Sequence, residues 1–511
     1  MQCQMSQQTL KMASREEWCA DKLSKLLQED LRISALNEIK EHFESIPASE
    51  ASRFADGLDL PLVFDCLNDS NLEQVDLACE VLTLCMTNLN IGETTNRYVV
   101  PLERALNHPY SGVKIMALKE IQRDISEENC LSELCKRKSL LISVIKCIGD
   151  SDLSVAKKAI DITVVVGLSD IGLRTLIMDD ISNEMREVMS TNEVSRLRVY
   201  EVVVNIAKEA EINLDQIKST DILTHFLEEL NNHDILLKMN VVELLTQLGL
   251  SRHGYNYLEQ NGVINKLFSM IEDTDDSMTL QYCEPGILKF FGNIAHWKPL
   301  ELMSKYPKIF DRLFSNLESG ELTIVAISLD TLGIIGLTNQ GKSALNATGN
   351  KMTYALKTIV KLLSSFPTDV KIRALNCLEH LLSVNEQQSN VIQITKKWFN
   401  VLCEHPMDVI IRYAKNPFSE IKIAGLGILL GMSYQQWGQE EIRNSPGLTE
   451  YLLDRNIETL KECKELKFDI IRALAASTVF DEATIKRFQD FIKEGPFHIE
   501  AVTEIAFEGN E

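Results

Sequence analysis

Apolar and polar positions along the chain follow one recurring frame. An apolar anchor, often followed by Lys or Arg, is succeeded four and five places on by small or apolar residues, then by another apolar residue at or next to the eighth place. Clear copies are Leu31-Arg32 with Ala35, Leu36 and Ile39; Val113-Lys114 with Ala117, Leu118 and Ile121; and Val370-Lys371 with Ala374, Leu375 and Leu378. Further copies start at Val155, Leu197, Leu237, Cys283, Ile324, Ile421 and Leu466, with a looser one at Val75. These offsets fall on one side of an α-helix, so each copy predicts an amphipathic helix that buries its stripe on neighbours.

Successive anchors lie 38 to 51 residues apart, which brackets the roughly 40 to 47 residues of HEAT and armadillo units. Helices of this kind cannot bury their stripes alone; stacking them builds a continuous core from nearest-neighbour contacts. The expected fold is therefore all-α, a HEAT/armadillo-like helical-repeat solenoid of about eleven repeats forming one body over 1–511. Residues 1–15 are expected to be a loosely ordered N-terminal segment and 502–511 a tail. Small-polar turns before the anchors, Asp150-Ser151-Asp152, Thr191-Asn192-Glu193, Asn231-Asn232-His233-Asp234 and Asn416-Pro417-Phe418-Ser419, offer helix N-caps. The acidic stretch 272–276 is the best candidate for a long exposed loop.

Charge changes the picture of partners. With 52 basic and 74 acidic residues the net charge is -22, and the one dense basic cluster, Lys136-Arg137-Lys138, is short. Nucleic acid and anionic membrane surfaces are poor partners for such a body; a basic protein surface suits it better. The 12 cysteines form no C-x-x-C unit and mostly sit inside apolar helical patterns, so they read as reduced, buried, small side chains. No apolar run approaches the ~18 residues of a membrane span, and the start carries no apolar signal core. The implied compartment is the cytoplasm, the nucleus being equally reducing.

The sharpest chemical candidate is Gly336-Leu-Thr-Asn-Gln-Gly341-Lys342-Ser343, which matches the phosphate-cradling G-x-x-x-x-G-K-S pattern. A phosphate loop needs a strand before it, whereas Ile324 to Ile335 carries the repeat helix. The glycines also recur without the Lys-Ser pair, in Gly167-Leu168-Ser169-x-x-Gly172 and Gly249-Leu250-Ser251-x-x-Gly254, each twelve residues after its anchor. The first glycine is expected to end a helix in a left-handed conformation and the second to open the next one. The nine histidines never approach H-E-x-x-H, and Cys403-Glu-His405 stands by itself. We expect no enzyme activity, no cofactor and no metal.

In an armadillo-like stack, side chains six and ten places after the anchor point into the inner, concave face. Here they are Lys119 and Arg123, Asp161 and Val165, Val203 and Ala207, Glu243 and Gln247, Lys289 and Asn293, Asp330 and Ile334, Asn376 and His380. The candidate protein-binding residues are thus Lys119, Arg123, Asp161, Glu243, Gln247, Lys289, Asn293, Asp330, Asn376 and His380. A Trp/Asn ladder of the kind that clamps import signals is missing from these rows: the four tryptophans are 18, 297, 398 and 437.

The stretches Glu284-Pro-Gly-Ile-Leu-Lys-Phe-Phe-Gly-Asn-Ile-Ala295 and Ser251-Arg-His-Gly-Tyr-Asn-Tyr-Leu-Glu-Gln-Asn-Gly-Val-Ile264 resemble the family of the 26S proteasome non-ATPase regulatory subunit 5. Asp152 to Ala159, Ser195 to Glu201, Ser445 to Asp454 and the tail from Glu494 fit the same family in the same order, while the first fifteen residues fit less well. The resemblance implies an assembly chaperone for the base of the proteasome regulatory particle. It would hold the C-terminal domain of one ATPase, regulatory subunit 7, in a module with regulatory subunit 4 and non-ATPase subunit 2, and leave before the particle is complete. The family supplies no functional-residue motif, so the groove positions rest on repeat geometry alone.

Overall fold

The computed structural model describes residues 16–58, 60–272 and 277–498. The expectations for 1–15, for 502–511 and for the centre of the acidic loop, 273–276, lie outside the described residues. Among those described, the chain is helical throughout, with no strand.

All eleven frames fall at or inside a helix. We number these anchor helices α1 (Arg32–Ser45), α2 (Leu72–Thr87), α3 (Ser111–Asp124), α4 (Leu153–Leu168), α5 (Glu193–Ala207), α6 (Ile235–Gly249), α7 (Ser277–Ile294), α8 (Leu322–Gly336), α9 (Thr368–Leu382), α10 (Ser419–Ser433) and α11 (Lys461–Ala475). Shorter helices connect them, such as Asp170–Leu176 and Asp179–Thr191 between α4 and α5. The chain divides into two compact units, Met1–Gly254 and Tyr255–Glu511. Within the first, each of α1 to α6 packs on the next; within the second, α7 to α11 do the same.

Burial of the stripe holds each stack together. Val113, Ala117, Leu118 and Ile121 of α3 are fully buried, as are Val241, Val242, Leu245 and Leu248 of α6. Each large aliphatic side chain so placed contributes about 1.5–3 kcal/mol. Polar caps start the helices where the turns predicted them. Asp152 accepts from the Ser154 and Val155 amides, Asn192 from Ser195 (2.8 Å) and Asp234 from Leu237 (3.0 Å). At the fourth turn, Asn416 accepts from the Phe418 amide just before α10, which has no side-chain cap.

Three frames differ from the expected register, each because a polar residue occupies the stripe. In α5 the buried positions are Ser195, Val199, Tyr200 and Val203, two residues ahead of the frame set on Leu197. In α2 the frame begins at Gln74, one residue before Val75, and its amide donates to the Cys66 carbonyl at 2.9 Å. In α11 it begins at Cys463 rather than Leu466 and places Lys467 in the core. The Lys467 ammonium donates to the Asp454 carbonyl (2.6 Å) and lies 3.8 Å from Glu458, which also accepts from Tyr451 (2.9 Å). Burial pulls the Lys467 pKa down to about 8.

The repeats are also clasped through their helix ends. Several carbonyls in or just past a last helical turn accept from a side chain supplied later in the chain. In the first unit Arg123 reaches Met86 (2.9 Å) and Leu89 (3.3 Å), Arg198 reaches Ile148 (3.0 Å) and Asp150 (2.7 Å), and a ring nitrogen of His253 lies 2.9 Å from the Ala207 oxygen. In the second, Tyr413 reaches Leu363 (2.7 Å), Gln435 reaches Leu382 (2.6 Å) and Tyr451 reaches Ala414 (2.7 Å). Such groups would otherwise be left open at a helix C-terminus.

Candidate protein-binding face

The glycine pairs after α4, α6 and α8 build a sharp corner. Ser169, Ser251 and Thr338 each accept from the amide of the second glycine, Gly172, Gly254 and Gly341, at 3.0–3.1 Å. A Cβ on any of these glycines would overlap a carbonyl oxygen of the helix just ended, from Val166, Leu248 or Ile335. The sequence frame missed a fourth corner of this type, after α10, where Gly438 meets the Met432 carbonyl in the same way. The first glycines are not left-handed, contrary to expectation: Gly167, Gly249 and Gly336 are not among the residues with positive φ. Gly167 and Gly336 are instead where the next anchor helix presses closest, through Ile206 and Leu381.

This corner settles where Lys342 goes. Helix α8 precedes it and the helix Asn339–Ala347 contains it, so no strand feeds the loop. The side chain is fully buried, and its ammonium donates to the Gly336 carbonyl and, at 2.6 Å, to the His380 carbonyl. It ties the C-terminal ends of α8 and α9 together and has no open side for a phosphate. Burial pulls its pKa down to about 7. Among the described residues no group of three or more His, Cys, Asp or Glu could hold a metal ion, and no single helix is long and apolar enough to cross a membrane.

The predicted rows divide by unit. In the first, Lys119, Asp161 and Glu243 are exposed and Gln247 is half-buried. Val203 and Ala207 are buried, a consequence of the register shift in α5; the residues six and ten places after Ser195 are Glu201 and Asn205, both half-buried. Arg123 is committed to Glu120 as well as to the Met86 and Leu89 carbonyls, so it serves the fold. Lys119 borders a shallow groove across α1 to α3 whose apolar lining is Leu84, Ile115 and Met116. Burial raises the Glu201 pKa, and the neighbouring Asp161 raises it further, while Arg198, Lys157 and Lys208 oppose the shift. Both signs of charge are therefore interleaved here, and this surface does not carry the chain's net acidity in concentrated form.

The second unit is different in kind. Lys289 is exposed, and Asn293 donates to the Lys289 carbonyl of its own helix (2.8 Å). Asp330 pairs with Arg373 of the next helix, Asn376 is half-buried, and the His380 ring lies where any side chain at Gly333 would strike it. Burial lowers the His380 pKa, with Lys342 adding to the effect. On α8 to α10 the half-buried positions include five aliphatic residues, Ile327, Ile334, Ile372, Ile423 and Leu430.

Comparison with known proteins gives a consistent result. The family model described as proteasome non-ATPase 26S subunit matches residues 15–511. The 26S proteasome non-ATPase regulatory subunit 5 of Bos taurus is 31% identical over 496 residues, covering 95% of this chain and 99% of the relative. The protein of the same name from Homo sapiens is 30% identical over 95% of this chain and 99% of its own length. Among solved structures, yeast importin-β (Kap95p) superposes with a TM-score of 0.55 over 92% of this chain and 65% of importin-β, at 12% identity. That likeness concerns the helical-repeat fold alone.

Proposed function

Since the chain belongs to the proteasome non-ATPase 26S subunit family that includes regulatory subunit 5, we propose that it is an assembly chaperone for the base of the proteasome regulatory particle. A proteasome-related role follows from the family. The finer reading is that the chain holds the C-terminal domain of ATPase regulatory subunit 7, in a module with regulatory subunit 4 and non-ATPase subunit 2, and leaves before the particle is complete. It acts in the cytoplasm by binding in fixed stoichiometry and not by catalysis, without a cofactor.

The observation that carries the binding reading is Lys342. The one motif that suggested nucleotide chemistry is spent inside the scaffold, its ammonium held by the Gly336 and His380 carbonyls. Four of the anchor helices carry exposed charged side chains six places after their anchors, Lys119, Asp161, Glu243 and Lys289, a surface suited to holding another protein. Covering ATPase surface in this way would keep it from docking or pairing too early.

The test mixes the purified full chain with regulatory subunit 7 and applies size-exclusion chromatography with light scattering. A one-to-one complex that forms with or without nucleotide is expected. Separate peaks at micromolar concentrations would reject this partner and point to a general helical-repeat scaffold.

A further inference from the structure

Glu379 is a half-buried carboxylate with no cation. It lies on α9, nine places after its anchor, and its oxygens rest directly against the backbone of Gly427 on α10, where a methyl group would meet them at 2.5 Å. Among the described residues it makes no side-chain hydrogen bond or ion pair, whereas Asp330 on α8 is paired with Arg373. Burial is the one influence on it, and raises its pKa. Placing a carboxylate in such surroundings without a counter-ion destabilises a fold. No cation among the described residues of this unit opposes that cost. Ile327 and Ile334 on α8, Ile372 and Glu379 on α9, and Ile423 and Leu430 on α10 stand seven residues apart in half-buried positions, so each pair shares one face of its helix, and the three helices pack in sequence to line up an aliphatic strip.

The geometry points to this strip as the docking surface for a partner polypeptide whose own docking face is aliphatic and carries one lysine or arginine aimed at Glu379. This rests on the chaperone reading above and specifies the chemistry of its partner. A cation arriving from the partner would meet a carboxylate already partly stripped of water, which strengthens a charge-assisted hydrogen bond. The aliphatic flanks would exclude the remaining water, the usual arrangement around an energetically dominant contact. Gly427 is part of the device, since any side chain there would displace the carboxylate.

Two variants of the full chain test the inference against regulatory subunit 7, by fluorescence anisotropy and thermal melting. Glu379→Gln is expected to weaken the complex about tenfold or more while leaving the melting temperature of the free chain unchanged or higher, because it removes an unpaired charge. A group serving only the fold would lower the melting temperature. Ile423→Ser is expected to weaken the complex comparably; if it unfolds the chain, Ile327→Ser takes its place. Binding by Glu379→Gln within twofold of the unaltered chain overturns the inference and leaves the chaperone reading standing. Failure of the unaltered chain to bind rejects the parent reading and this one with it.

Discussion

The two units share a scaffold and differ in what they display. In the first, the side chains of the inner rows carry charge of both signs at close quarters, with Asp161 and Glu201 set among Lys157, Arg198 and Lys208. In the second, α8 to α10 show half-buried aliphatic residues, the Asp330–Arg373 pair and the half-buried carboxylate of Glu379, which has no cation. Identical repeat mechanics can thus support a hydrated, self-compensated surface in one place and a sparse, partly dry one in another. Net charge, read from composition, reports neither.

The comparison is open to four experiments. The strongest effect is expected at the corners common to both units: Gly172→Ala and Gly341→Ala should each destabilise by about 3 kcal/mol or more, because a Cβ would overlap a carbonyl oxygen. Hydrogen exchange resolved along the chain would measure the loss in each unit, and a large inequality would deny that the corners are equivalent. Next, Arg123→Ala should cost about 2–3 kcal/mol in denaturant unfolding, since it opens two carbonyls and leaves the buried Glu120 without its cation. Its affinity for partner per folded molecule should be unchanged; a binding defect at full stability would restore Arg123 to the docking face.

Lys342 gives a test by pH. Burial holds its pKa at about 7 in the folded chain, against the ordinary lysine value of 10.5. Between these values the unfolded chain holds a proton that the folded one lacks, so stability rises with pH across that window, by at most about 1.4 kcal/mol per pH unit. Lys342→Met should flatten that rise in melts from pH 7 to 10, and an unchanged slope would show that the ammonium stays charged in the fold. The smallest effect expected is that of salt. If the aliphatic strip leads binding, raising salt from ~50 to ~300 mM should weaken the complex by less than about fivefold, the scale of one exposed ion pair. A much steeper dependence would move the main contact to the charged rows of the first unit.

The repeat was legible because its signal is apolar and periodic. Val113, Val155, Leu237, Val370 and Ile421 announce their helices and lie where the pattern places them. It blurred wherever a polar side chain took a core position: Gln74 bonded to the Cys66 carbonyl, Lys467 bonded to the Asp454 carbonyl, and the small Ser195 buried beside Gly149. A search for apolar anchors slides past such residues to the next leucine or valine. The same slip put Val203 and Ala207 on the candidate face, although both are core. Arg123 and Lys342 were conspicuous as charges, yet the carbonyls they satisfy belong to other parts of the sequence, and no local pattern encodes them. Glu379 was missed because its distinction is the absence of a neighbouring cation, which only packing defines.

In the first unit the carbonyl clasps run in one direction, whereas in the second they run both ways, Lys342 and Arg443 reaching forward to the His380 and Val479 carbonyls. Arg123 closes the end of α2, Arg198 the turn before α4, Tyr413 the helix before α9, and Gln435 the end of α9, each from further along the chain. A polypeptide emerging from the ribosome N-terminus first would therefore hold the most recent repeat of its first unit unfinished until the following one is made. The newest edge of that growing stack is the weakest, and within the first unit maturation advances as a front in the direction of synthesis. A cut from the C-terminal side of that unit exposes such an edge afresh, whereas in the second unit trimming from the N-terminal side opens carbonyls too, since removing Lys342 leaves the His380 carbonyl without its donor.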